Sequence, residues 1–170
     1  MLQETSAGLY CEAGDFHIDP WAPVSRAVIT HAHGDHARVG SKAYLCAAPS
    51  APLLSRRFGA ETRIESLPYR QPLTLGRTRI SFHPAGHVLG SAQVRLEGPG
   101  GVWVVSGDYK RVPDPTCAPF EPVSCDTFVT ESTFGLPIYR WDPAGVVIRE
   151  IADWWTANAS RGLASVLFCY

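Results

Sequence analysis

Apolar residues along this chain fall mostly into short runs separated by Gly and Pro, the mark of strands joined by turns. Residues 9–11 and 16–18 read as a strand pair around Ala13-Gly14, and the run 27–30 as a buried strand. Another short strand is expected at 43–46, then a helix at 51–58 with Arg56 and Arg57 as a solvated pair. Residues 73–75 and 78–82 predict a hairpin across Gly76-Arg77. Next, Ala92, Val94 and Leu96 alternate with Gln93 and Arg95, a strand that the glycine-rich turn 98–101 reverses into 102–105. A further strand at 126–130 ends at Glu131.

Beyond Glu131 the period changes. Val147, Ile151, Trp154 and Trp155 recur at helical spacing, and Asp142-Pro143 suits an N-cap and first turn. The pattern predicts a helix of about four turns that frays near Ala159-Ser160. Residues 164–169 read as a buried-type strand. A strand with no sequel is a poor natural terminus, so the chain is expected to be a fragment of a longer protein.

The 170 residues suffice for one ordinary domain, and 45% hydrophobic with 18% charged residues describes a globular chain, not a disordered one. No apolar run reaches the length of a membrane span, and Met1-Leu2-Gln3-Glu4-Thr5 has no signal-peptide pattern. The expectation is a cytoplasmic protein without a membrane partner. Cys11, Cys46, Cys117, Cys125 and Cys169 are scattered and never spaced Cys-x-x-Cys, which favours reduced, buried thiols. A net charge of −1 gives no global basic field. Of the 15 basic residues only Lys42 and Lys110 are lysines, which leaves thirteen arginines. Their planar forks suit phosphate, but a coding bias gives the same ratio.

The candidate chemistry is concentrated in His31-Ala32-His33-Gly34-Asp35-His36. His31 and His33, two apart where the chain leaves a strand, put their imidazoles on one side and can grip one ion. Asp35 and His36 follow where the chain turns and can reach a second. Imidazole with carboxylate favours zinc, and also suits manganese or iron. Two other strand ends deliver acids, Val105 leading through Ser106-Gly107 into Asp108 and Val129-Thr130 into Glu131. His87 stands in the glycine-flanked loop 84–90. Polar groups gathered at strand ends are how an α/β scaffold builds a site along one edge of its sheets. His17 and His83 read as ordinary packed or hydrogen-bonded histidines, and most of the five tryptophans as core.

The hexapeptide 31–36, Ala85-Gly86-His87-Val88-Leu89-Gly90, Ser106-Gly107-Asp108-Tyr109 and Thr130-Glu131-Ser132-Thr133-Phe134-Gly135 together resemble the ordered motifs of the metallo-β-lactamase superfamily. Glu131-Ser132-Thr133 narrows the resemblance to its β-CASP nucleases. The resemblance implies an α/β fold: the N-terminal part of an αββα sandwich over residues 1–140, then the start of a β-CASP insertion over 141–170. It implies two zinc ions, with manganese as an alternative: His31, His33 and His87 on the first, Asp35 and His36 on the second, and Asp108 bridging both. Asp35 and Asp108 would hold the attacking hydroxide. Glu131 would orient a later histidine acting near the leaving group. Asp19 resembles the family's first acidic motif, a partner that orients a ligand histidine. A plain turn Asp before Pro20 fits Asp19 equally well, and Asp15 competes for the same role.

Within the branch, Gly8-Leu9-Tyr10-Cys11, Phe16-His17-Ile18-Asp19-Pro20-Trp21 and the motifs around His87 and Glu131 most resemble bacterial DNA-ligase-associated exonucleases. That implies DNA as substrate, a repair setting, and a DNA ligase and a helicase as partners. RNA 3′-end processing with the same metals is the alternative. A thiolesterase-like small-molecule hydrolase and a non-catalytic scaffold are remoter ones. No histidine follows Glu131, whereas the family supplies further ones downstream. The isolated chain is therefore expected to bind metal weakly and to be inactive.

Overall fold

The computed structural model describes residues 1–168, which fall into two compact units, Met1–Glu131 and a second that begins at Ser132. The first unit contains strands β1 (Leu2–Thr5), β2 (Gly8–Cys11), β3 (Phe16–Ile18), β4 (Ala27–Ile29) and β5 (Tyr44–Ala47). A 3₁₀ turn, Ala48–Ser50, leads into helix α1 (Ala51–Phe58). Then come β6 (Ile64–Leu67), β7 (Leu73–Leu75), β8 (Thr78–Pro84), β9 (Ala92–Gly98), β10 (Gly101–Val105) and β11 (Thr127–Val129).

Two mixed sheets result. One runs β1-β2-β3-β4-β5-β6, antiparallel through β3 and parallel from β3 to β6. The other runs β11-β10-β9-β8-β7, antiparallel except for the parallel β10–β11 pair. Period-two alternation decides how they stack. Phe16, Ile18, Val28 and Leu45 of the first sheet meet Ile80, Phe82, Val94, Leu96 and Val105 of the second in one buried cluster. The opposite face of the first sheet presents Ala27, Ile29, Tyr44 and Cys46 to Leu54 of α1 in a separate cluster. β4 is therefore buried on both faces, as its unbroken apolar run requires.

The hairpin across Gly76-Arg77 forms with Leu75 opposite Thr78, and α1 spans residues 51–58 as its pattern predicts. Two strands escape the sequence pattern. β1 and β6 lie at the two edges of the first sheet, where exposed residues such as Gln3, Glu4, Glu65 and Ser66 carry no apolar period. Their strand character comes from pairing, Leu2 with Cys11 and Ile64 with Tyr44.

The second unit contains one helix, α2 (Ala144–Ser160). Pro143, not Asp142, takes the capping position, and no side chain caps the helix. Residues 164–168 form no strand, contrary to expectation: Val166, Leu167 and Phe168 are exposed and meet no strand to pair with. A strand is defined by its neighbour's hydrogen bonds, and apolar residues alone do not make one. Cys169 lies outside the described residues. Core packing also fails for most tryptophans, since Trp21, Trp141, Trp154 and Trp155 are exposed and only Trp103 packs against the sheet core. Among the described residues no helix is long and apolar enough to cross a membrane.

Candidate metal centre

β4 ends at Ile29, and Thr30-His31 carries the chain out of the sheet while still fully buried. One edge of the molecule therefore receives the hexapeptide, the His87 loop that closes β8 onto β9, and the segment after β10. Gly107 makes the last approach feasible. Its φ of 55° is one that side-chain-bearing residues rarely adopt, and a Cβ there would lie 2.6 Å from the Cβ of Thr30. The Ser91 hydroxyl accepts the backbone N–H groups of His87 and Val88 at 3.0 and 3.2 Å, which fixes the His87 loop. The Lys110 N–H donates to the Ala85 carbonyl at 3.0 Å and ties the Asp108 segment to that loop.

His31, His33, His87 and Asp108 converge, with ligand atoms all within 4.8 Å of one another. His31 Nε2 is 3.0 Å from His33 Nδ1, and His87 Nε2 is 3.3 Å from the same atom. Asp108 Oδ2 stands 3.8 Å from His31 Nε2 and 3.6 Å from His87 Nε2. Ligands about 2.0–2.1 Å from a tetrahedral zinc are separated by about 3.3 Å, so these spacings fit one such ion. Two of the histidines are also disposed to stay neutral. Burial, reinforced by the His36, His33 and His87 imidazoles, lowers the pKa of His31 to about 2, which keeps its ring neutral. Burial likewise lowers His87, with Asp108 opposing it.

Asp19 governs a second set of contacts. Its Oδ1 accepts the Thr30 N–H at 2.8 Å, and its Oδ2 accepts the Thr30 hydroxyl at 2.5 Å and His36 Nδ1 at 2.8 Å. The hydroxyl proton of Thr30 is thus committed, so the oxygen receives His31 Nδ1–H, 3.1 Å away. Both histidines are left with Nε2 as the lone-pair nitrogen. His36 Nε2 lies 3.3 Å from Asp108 Oδ1 and 3.7 Å from Asp35 Oδ2. Burial opposes a charge on His36, but the hydrogen bond and charge of Asp19, with Asp108 and Asp35, outweigh it and raise the pKa.

Asp108 therefore turns one carboxylate oxygen to the four-residue cluster and the other to His36. Asp35 lies at the rim with its side chain 75% exposed, and neither it nor His36 belongs to that cluster. The Glu131 N–H donates to Ser106 Oγ at 3.3 Å, and its carboxylate, after Asp108, partly opposes the burial that lowers His87. Asp15 stays away from the centre and accepts the Tyr10 hydroxyl at 2.9 Å. His17 meets Thr5 and the Tyr10 ring, and His83 bonds Ser81 and Glu121, so both are ordinary hydrogen-bonded histidines. Thr30 and Ser91 carry no weight in the sequence reading, yet each positions a ligand. Their only advance signal is adjacency, one directly before His31 and the other directly after Gly90.

No family model matches the chain. It is 32% identical over 167 residues to a probable DNA ligase of Opitutus terrae, a match covering 97% of this chain and 16% of the ligase. A ribonuclease of Thermus thermophilus is 29% identical over 178 residues, covering 86% of this chain and 40% of the ribonuclease. An endoribonuclease of Gibberella zeae is 38% identical over 77 residues, covering 44% of this chain and 9% of that protein. Among solved structures, a metallo-beta-lactamase fold protein of Bacillus subtilis has a TM-score of 0.45 at 14% identity, covering 59% of this chain and 52% of that one. The chain thus spans less than half the length of the curated relatives it matches.

Proposed function

The chain belongs to the metallo-β-lactamase superfamily, and from that premise we propose that the full-length protein is a metal-dependent nuclease that hydrolyses phosphodiester bonds, with DNA as its substrate. The convergence of His31, His33, His87 and Asp108 at tetrahedral spacing carries this reading. The ligase relative, matched along nearly the whole chain, supports DNA as substrate and a ligase as partner, and a repair setting with a helicase follows only from the motif resemblance. The ribonuclease relatives support RNA processing as the second reading.

Zinc, or manganese in its place, supplies charge neutralisation at the phosphate and acidifies a bound water. In this reading His31, His33, His87 and Asp108 would hold one ion, and Asp35 and His36, with the other oxygen of Asp108, would hold a second. Asp108 fits that task because its two oxygens face different groups of ligands. Asp35, open to solvent at the rim, would accept a hydrogen bond from the attacking water and so orient it. Asp19 keeps the His31 and His36 lone pairs aimed inward. Glu131 positions the acid that protonates the leaving oxygen. Residues 1–140 form the N-terminal part of the metal-binding domain in this reading, and 141–170 begin a β-CASP domain.

Matched single-stranded DNA and RNA, digested by the full-length protein with zinc or manganese, test the proposal. Preferential loss of DNA is expected. Clear preference for RNA transfers the assignment to RNA processing, and no hydrolysis of either refutes the nuclease.

A further inference from the structure

Four of the basic side chains are neutralised by a neighbouring carboxylate. Arg63 pairs with Glu65 at 2.7 Å, Arg70 with Glu121 at 2.5 Å, Arg95 with Glu97 at 2.8 Å and Lys110 with Asp114 at 3.0 Å. Arg57 differs. It lies in the last turn of α1, is exposed, and among the described residues faces no carboxylate within ion-pair distance. Its Nη1 reaches back to the Ala32 carbonyl at 3.4 Å, inside the hexapeptide. Its Nη2 lies over Gly34, so close that a Cβ on that residue would stand 2.3 Å from it. The guanidinium therefore rests on the peptide between His33 and Asp35, beside the metal ligands. Gly34 is the residue whose bare Cα admits it.

A guanidinium held at that place costs side-chain entropy, and among the described residues no carboxylate pairs with it. An arginine fork of N–H donors matches two oxygens of a phosphate. We propose that Arg57 binds a backbone phosphate of single-stranded nucleic acid adjacent to the one undergoing cleavage, and so fixes the strand's register over the metal centre. This rests on the nuclease reading for its substrate. The sequence alone assigns Arg57 to a solvated pair with Arg56, because the helix pattern cannot show that α1 packs with its last turn over the ligand loop.

The test is binding of a fluorescent oligothymidylate to the full-length protein across a salt series, beside hydrolysis of the same oligonucleotide and of bis(p-nitrophenyl) phosphate, which has no adjacent phosphate. Arg57→Gln should weaken oligonucleotide binding about tenfold and flatten the salt slope by about 0.7. KM should rise with kcat little changed, while zinc content and turnover of the small ester stay at wild-type values. Arg57→Lys should recover part of the affinity, since it restores charge without the fork. Arg56→Gln should match wild type throughout. Loss of zinc together with equal loss on both substrates would make Arg57 a clamp for the loop and overturn the proposal. Unchanged binding in Arg57→Gln would also overturn it. Arg57-dependent binding with no hydrolysis by wild type would sink the nuclease reading and leave the phosphate contact standing. A wild type that binds no oligonucleotide would sink both.

Discussion

The carboxylate of Asp19 holds the imidazole of His36 by its Nδ1 at 2.8 Å, and the same oxygen takes the hydroxyl proton of Thr30. One acid outside the hexapeptide thus fixes the tautomers of two histidines within it, His36 directly and His31 through Thr30.

Replacing Asp19 with Asn should therefore weaken metal binding about 10–100-fold, the usual cost of losing a partner behind a ligand. Competition against a chromophoric chelator measures it in the full-length protein. Thr30→Val should give a smaller loss, because it releases His31 and leaves the His36 contact in place. Wild-type affinity in both variants would show that the ligands orient themselves.

Asp108→Asn keeps the shape of the side chain and removes the charge that faces both His36 and the cluster of His31, His33 and His87. Zinc per chain should fall, and phosphodiester hydrolysis should drop at least about a hundredfold. Zinc analysis and a single-turnover assay read the two effects separately.

Gly107→Ala combines a left-handed backbone with a Cβ that collides with Thr30. The expected cost is about 1–3 kcal/mol of stability in urea unfolding, with weaker metal binding as Thr30 shifts. Gly162 is also left-handed, at φ 67°, but nothing would meet its Cβ within 4 Å, so Gly162→Ala should cost less.

Glu121 gives a pH signature remote from the metal centre. Burial would raise its pKa, but hydrogen bonds and charge from Arg70 and His83 outweigh that and lower it. A carboxylate depressed in the folded state stabilises it fully above its unfolded pKa, and the gain disappears as pH falls through the folded value. Wild type should exceed Glu121→Gln in unfolding midpoint above about pH 5, and the two should converge in more acid solution. A constant difference down to strong acid would exclude the ion pair as the cause.

The sequence made the centre of the fold legible because burial there leaves a repeating trace. β4, β8 and β9 read directly from Val28, Phe82 and Val94. The edge strands β1 and β6 left none, since pairing and not burial makes them strands. Helical spacing located α2, yet the same apolar residues did not place its tryptophans in a core, because none of its residues is buried. The converging ligands were visible as motifs. Thr30, Ser91 and Arg57 were not, because each acts through a hydrogen bond or close approach that only the folded backbone brings about.

β4 divides its side chains between two separate cores, Val28 into the space between the sheets and Ala27 and Ile29 beneath α1. Neither core includes a ligand side chain. Architecture and chemistry thus rest on different residues of a single short segment, and a descendant could exchange its histidines for other chemistry while inheriting the same scaffold intact.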